Sequence, residues 1–148
     1  MNKVYVTDTD SIICYFNRVF GVPQKLSSRA RGLIGYALLT CPSSVKLSIP
    51  SMVFMEIYNK WFVNEETAAK LRYEVFEPII RSPNIEIKPI EQEVLENLLK
   101  IGGNLASHDI NDKLILASAM MLECPLITTD PKIIKYVKKS GCIPSVIS

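Results

Sequence analysis

The sequence predicts an α/β fold: a three-layer sandwich with a central, mainly parallel β-sheet flanked by helices. Three observations carry that prediction. Short runs of β-forming residues alternate with longer segments of helical periodicity along the whole chain. The first run, Val4-Tyr5-Val6, has no polar alternation, as expected of a strand buried on both faces. Every aspartate in the chain (Asp8, Asp10, Asp109, Asp112 and Asp130) stands at or just after a junction between such segments. The carboxyl ends of the strands are where open parallel sheets bind ligands.

Taken in order, Thr7-Asp8-Thr9-Asp10-Ser11 stops the first strand and caps a helix in which Ile12, Ile13, Phe16 and Phe20 recur at helical spacing. Gly21-Val22-Pro23 breaks that helix, and Leu26–Thr40 reads as a second one, with Leu33, Ile34, Ala37 and Leu38 on one face. Pro42-Ser43-Ser44 leads into a strand at Val45–Ile49. After Pro50-Ser51 a helix begins at Met52 and runs to Trp61. Glu65–Ile80 reads as one further helix, with charges alternating on a solvated side. Ser82-Pro83-Asn84 interrupts the pattern. Ile85, Ile87 and Pro89 give a third strand, and Ile90–Ile101 another helix with Leu95, Leu98 and Leu99. Gly102-Gly103-Asn104 is a loop by composition. The helix that follows Asp109 is almost wholly apolar, and Leu126–Thr129 is a strand that ends at Asp130.

At 148 residues the chain suits a single domain, residues 1–148, that buries about two-thirds of its unfolded surface. Hydrophobic content of 48% with 22% charged residues is ordinary for a globular protein and argues against disorder. Net charge is +2, which does not by itself announce a nucleic-acid binder. Cys14, Cys41, Cys124 and Cys142 are scattered, with one His in the chain, so structural zinc and a disulfide framework are both poorly supported. Buried free thiols in a reducing cytoplasm are the expectation. No signal peptide is visible, and Leu114–Leu122, the longest apolar stretch, is too short to span a bilayer.

Asp8 and Asp10 admit a plain reading as helix caps. Yet two acids at the end of a buried strand repel each other, and neither has a nearby Lys or Arg in sequence. Glu56, among Phe54, Met55 and Ile57, belongs at the edge of a buried face or inside a site. Asp109 and Asp112 share one face of a first helical turn, where Asp109 as cap with Asp112 at the third position is a variant of the capping box. The distribution of the acids decides between these readings. Carboxylates from distant parts of the chain would meet at one sheet edge, and such a cluster needs cations. Oxygen ligands without His or Cys suit Mg²⁺ or Mn²⁺.

The chain resembles the PIN-domain nucleases found as the toxins of toxin–antitoxin pairs. Asp8-Thr9 matches the opening Asp-Thr of that family. Glu56 matches the acid of its Ser-x-x-x-x-Glu helix, counted from Ser51. Asp112 opens Asp-x-x-Ile-x-Ala-x-Ala, and Asp130 closes Leu-Ile-Thr-x-Asp. The match runs over nearly the whole chain. Asp10 departs from the pattern, since the family more often has Asn or Ser there, and His108-Asp109 resembles only some branches.

The resemblance implies a PIN-like fold and metal-dependent hydrolysis of RNA phosphodiester bonds. It makes Asp8, Glu56, Asp112 and Asp130 the catalytic metal ligands for Mg²⁺ or Mn²⁺, with Asp10 and Asp109 as further candidates. Thr9 and Thr128 would orient water or carboxylates. His108, alone on a loop beside Gly102-Gly103, reads as solvated and outside the catalysis. Lys132, Lys135, Lys138, Lys139, Arg29 and Arg31 could contact RNA, although a solvated helix face explains them as well. Expected partners are an RNA substrate, a cognate antitoxin protein and a second copy of the chain, with no membrane. Two alternatives remain. Asp8-Thr9-Asp10 almost meets the opening motif of haloacid-dehalogenase-type phosphatases, with Asp8 as nucleophile, but the acidic pair Asp109 and Asp112 precedes Thr128-Thr129, the wrong order. A catalytically inactive PIN fold acting as a binding subunit is the other.

Overall fold

The computed structural model describes residues 2–103, 105 and 108–148. Strands β1 (Lys3–Thr7), β2 (Val45–Pro50), β3 (Ile85–Lys88), β4 (Leu126–Ile127) and β5 (Val146–Ile147) form one sheet in the order β3-β2-β1-β4-β5. Every neighbouring pair is parallel. Helices α1 (Thr9–Tyr15), α2 (Asn17–Phe20) and α3 (Ser28–Ala37) lead from β1 to β2. Next come α4 (Ser51–Trp61), α5 (Glu65–Leu71), a π-helical turn at Arg72–Phe76 and α6 (Glu77–Arg81). Helices α7 (Gln92–Ile101) and α8 (Ile110–Leu122) return the chain to β4, and α9 (Pro131–Ser140) joins β4 to β5.

The strand order reverses at β1. The chain first moves outward through β2 and β3, then crosses back to add β4 and β5 on the other side. With right-handed crossovers, that reversal puts the first two sets of helices on one face and the last two on the other. It also opens a crevice beyond the carboxyl ends of β1 and β4, the switch point at which such sheets bind ligands. Register fixes what meets there. Thr7 lies opposite Ile127, so Asp8 and Thr128 leave the sheet side by side.

The core explains the sequence pattern. Val6, Ile49, Leu126 and Ile127 are fully buried, as strands covered on both faces require. Helix α8 sinks Leu116, Ala117 and Ala119 completely while packing on α7 and β1, hence its lack of a polar face. The α/β class with a parallel sheet is as the sequence predicts, and every pairing is parallel rather than most of them.

The differences have local causes. The Glu65–Ile80 helix is divided by the π-helical turn, which ends just before Glu77-Pro78. Pro78 cannot donate a backbone hydrogen bond and crowds the preceding turn, and a widened turn absorbs the mismatch. Helix α3 is shorter than Leu26–Thr40 because Ser27 caps it, accepting from Ala30 N at 3.1 Å. Strand β5 was not foreseen, because two residues behind a Pro carry too little pattern. Cys41 is exposed and Cys124 and Cys142 are half-buried, so only Cys14 fits the expectation of buried thiols. Asn104, part of the loop expected at 102–104, lies outside the described residues. Among the described residues no helix is long and apolar enough to cross a membrane.

Asn84, 2% exposed, ties the α3–β2 loop to the start of β3. Its Nδ2 donates to the carbonyls of Leu39 (3.2 Å) and Cys41 (2.9 Å), and its Oδ1 accepts from Ser43 N and Lys46 Nζ, each at 2.8 Å. Asn84→Ala removes four hydrogen bonds of partly buried groups at once. It should destabilise the fold by about 2–4 kcal/mol in denaturant titration. Because the loop is remote from the acids, the stabilisation that the protein gains from divalent cations should be unchanged.

Candidate active site

Each acid reaches the crevice for a local reason. Asp8 follows β1 and caps α1, with Oδ1 accepting from Ser11 N at 2.9 Å. Its Oδ2 accepts from the Thr128 hydroxyl at 2.5 Å. Thr128 Oγ1 in turn accepts from Asp130 N at 3.1 Å, so one threonine positions two acids from opposite ends of the sequence. Ser11 Oγ donates to the Ile127 carbonyl at 3.1 Å and fastens α1 to the end of β4. Asp130 caps α9, with Oδ1 accepting from Lys132 N (2.9 Å) and Ile133 N (3.3 Å). Thr9 and Thr128 thus both orient carboxylates, since Thr9 donates to Glu56 Oε1 at 2.5 Å.

Glu56 is half-buried on α4 and neither caps a helix nor pairs with a described cation. Asp112, one turn into α8, is also half-buried. The cap of that helix is Asp109, whose Oδ1 accepts from Asp112 N at 3.0 Å. The capping-box reading therefore describes Asp109 and leaves the Asp112 carboxylate free for the crevice. Asp10, Asp109, Asp112 and Asp130 line one open cleft of about 760 Å³ together with Lys25 and Lys132.

His108 is the main correction. Its side chain is 6% exposed rather than solvated, and Nε2 lies 2.8 Å from Asp130 Oδ2. For Asp130 to accept, Nε2 must carry the hydrogen. Nδ1 is buried with no partner among the described residues. One ligand atom from each of His108, Asp112 and Asp130 lies within 4.8 Å of the others. An imidazole therefore stands among the acids, contrary to an all-carboxylate site. The local sequence offered only a His before an Asp, and its partner is 22 residues away.

The electrostatics follow from this crowding. Burial raises the Asp8 pKa to about 6, with Asp10 adding to the effect and the bonds from Ser11 and Thr128 opposing it. Burial likewise pushes Asp112 up to about 7, reinforced by the charges of Asp109, Glu56 and Asp8 and opposed by His108. Glu56 is raised by burial and by Asp109 and Asp10, against the bonds from Thr9 and Asn111. Asp130 goes the other way. Burial would raise it, but the bonds from His108 and from the Ile133 and Lys132 amides outweigh burial and hold it below its usual range. Asp112 thus feels both Asp8 and Glu56, and Thr128 links Asp8 to Asp130; of the four predicted acids, Asp112 and Asp130 stand with His108 in the cluster that could share one ion.

The donor set fits a divalent cation. Ligand atoms of Asp112, Asp130 and His108 are close enough to share one ion, and an ion bound at Asp112 would displace the proton that crowding favours there. Carboxylate oxygens suit Mg²⁺ and Mn²⁺, and the imidazole makes the set more tolerant of softer ions.

Comparison with known proteins adds the following. The profile of the PIN domain family matches residues 6–139. No curated protein sequence matches. Among solved structures the chain is similar to VapBC2 of Rickettsia felis bound to a DNA fragment from its promoter (17% identity, 97% of this chain and 96% of that one, TM-score 0.62). It is also similar to a toxin–antitoxin complex from Klebsiella pneumoniae (19%, 97% and 96%, 0.56) and to FitAcB from Neisseria gonorrhoeae (14%, 97% and 96%, 0.63). At these identities the likeness speaks for the fold.

A stability measurement tests the crowding. Asp8 and Asp112 have folded pKa values above the ordinary 3.8, so the folded protein holds more protons than the unfolded chain in between. Their contribution is fully present below the ordinary pKa and is lost as pH rises through about 6 and about 7. Asp130, with a lowered pKa, acts oppositely: its contribution is present above the ordinary pKa and lost in acid. Asp112→Asn should therefore raise the Tm of the metal-free protein at pH 7 and flatten the decline between pH 5 and 8. Mg²⁺ should stabilise the unmutated protein more than the variant. A lower metal-free Tm with an equal Mg²⁺ response would mean that Asp112 is outside the cluster.

Proposed function

The chain belongs to the PIN domain family, and from that premise we propose that it is a Mg²⁺- or Mn²⁺-dependent endoribonuclease of the toxin type. The observation that supports the reading is the cluster of Asp112, Asp130 and His108 at the switch point, with Asp8 tied to Asp130 through Thr128.

In this reading Asp8, Glu56, Asp112 and Asp130 hold the ion, directly or through water. A bound divalent ion supplies a polarised water and charge neutralisation for the phosphate. The protein's own groups arrange the rest. Thr128 and Ser11 fix the Asp8 carboxylate, Thr9 fixes Glu56, and His108 fixes Oδ2 of Asp130. Lys25 and Lys132 on the cleft wall favour approach of a polyanion that the acids alone would repel. Hydrolysis adds water across one P–O bond and returns a proton to the departing sugar oxygen.

The geometry disfavours the phosphatase alternative. Asp8 is 6% exposed, and each of its oxygens already accepts a hydrogen bond. An attacking carboxylate needs an exposed, ionised oxygen. The inactive-subunit alternative leaves the crowded acids without a role.

We also infer a protein partner of the antitoxin class and a homodimer. Phe54, Met55, Tyr58, Phe76, Ile80 and Ile87 line an apolar groove beside α4. Met55, Tyr58 and Ile80 are more than half exposed, which supports this groove as a surface for protein contact.

Cleavage of single-stranded RNA should require Mg²⁺ or Mn²⁺ and disappear on exhaustive removal of divalent ions. Activity that survives their removal would overturn the metal reading. At saturating metal, Asp8→Asn and Asp112→Asn should each lower the rate by roughly two orders of magnitude or more, and Asp10→Asn far less. Equal damage from Asp10→Asn would favour the phosphatase. His108→Ala should show its effect as a roughly 10- to 100-fold higher metal requirement, with activity recovered at high metal concentration.

A further inference from the structure

Beside the acidic cleft the protein has a smaller and more enclosed pocket of about 210 Å³. Its apolar wall is Ile13, Val22, Pro23 and Trp61, and Lys25 and Lys60 also line it. Asp10 is common to this pocket and to both open clefts beside it. Lys25 is shared with the cleft of Asp112 and Asp130, and Lys60 with the cleft of Glu56. The pocket is therefore a side branch of the active cleft, with a cation at each connection. Among the described residues neither lysine belongs to an ion pair.

The wall is held in place by the fold. Gly21 takes a left-handed conformation (φ 68°) that ends α2 and turns the chain, and Val22 N donates to the Asn17 carbonyl at 3.1 Å. Gln24 then clamps the loop. Its Nε2 donates to the Cys14 carbonyl at 2.9 Å while its Oε1 accepts from Leu26 N at 3.0 Å, with Leu26 buried in the core. Trp61 is set edge-on against Phe20, ring centroids 5.0 Å apart, and Lys60 Nζ lies 5.6 Å from the Trp61 centroid.

We propose that this pocket is a nucleotide subsite that accepts one unpaired base next to the scissile phosphate, with Lys25 and Lys60 contacting the phosphates on either side. The inference rests on the nuclease reading of the neighbouring cleft and adds to it the place of one base. An apolar pocket with an aromatic wall and flanking lysines has the chemistry of single-strand recognition, in which a base packs on a ring and cations follow the backbone. Its volume is below the roughly 300 Å³ at which sites for drug-sized ligands begin. A base held in a duplex cannot enter it. Two lysines against Asp10 leave the branch net positive, in contrast to the cluster beside it.

The test uses the full chain as Asp112→Asn, to stop turnover, and a fluorescent eight-nucleotide RNA scanned with one abasic residue at a time. One position should weaken binding roughly tenfold when its base is removed. That loss should vanish in Val22→Trp, or in Pro23→Trp if the first variant fails to fold, because the pocket is then filled. Lys25→Ala and Lys60→Ala should each flatten the dependence of log affinity on log salt by about 0.7. The proposal is overturned if no abasic position matters, or if the sensitive position costs as much in the filled variants. Cleavage of the same RNA by the unmutated protein separates the two claims. RNA that is cut without dependence on the pocket removes the subsite and keeps the nuclease. RNA that is bound through the pocket and never cut does the reverse. RNA neither bound nor cut removes both.

Discussion

The hydrogen bond from Thr128 to Asp8 fastens the carboxyl ends of β1 and β4 to each other across 120 residues of sequence. The same hydroxyl accepts from the Asp130 amide, which sets the first turn of α9. Ser11 repeats the link from the other side by donating to the Ile127 carbonyl. The crevice can hold negative charge only because these polar groups are paired and buried, since an unpaired buried carboxylate would force the strand ends apart. Helices α1, α8 and α9 all begin at this edge, where Asp8 and Asp130 are caps and Asp112 lies in a first turn, while Glu56 comes from α4.

Stability and chemistry make opposing demands on that edge. Asp8 and Asp130 cap helices, so part of their charge is offset by backbone amides and helix N-termini. The Asp112 carboxylate caps nothing and has the acids around it for company, and its pKa is driven up to about 7. A fold selected for stability alone would place an amide there. A cluster that binds cations needs the opposite, a carboxylate whose charge is poorly compensated until the ion arrives. Cap and ligand are thus not competing explanations, because Asp8 and Asp130 cap helices and are also the proposed ligands.

How much of this was legible in the sequence depended on how local the signal was. Tyr5-Val6 and Leu126-Ile127 read as buried strands because their neighbours in sequence carry the pattern, whereas Val4, also expected to be buried, is exposed near the start of β1. Glu56 could be placed at an edge or in a site but not decided, because its partner Thr9 is 47 residues away. His108 was misread for the same reason: a lone His beside two glycines has no sequence feature that announces Asp130. The π-helical turn before Pro78 needed backbone geometry, and β5 was too short to leave a periodicity. The side pocket joins the α2–α3 loop to the end of α4, a meeting that only the tertiary structure specifies.

The central claim, that these acids form one cation site kept partly protonated by crowding, is tested most directly by calorimetry. Mn²⁺ would be titrated into the metal-free protein at pH 7 in buffers of different ionisation enthalpy. A site containing Asp112 with a pKa of about 7 releases about half a proton per ion from that group, so the observed heat should vary linearly with buffer enthalpy. The release should shrink towards zero above pH 8, where Asp112 is already ionised, and in Asp112→Asn at any pH near neutrality. Saturable binding with a heat independent of the buffer at pH 7, or equal proton release in the variant, would contradict it.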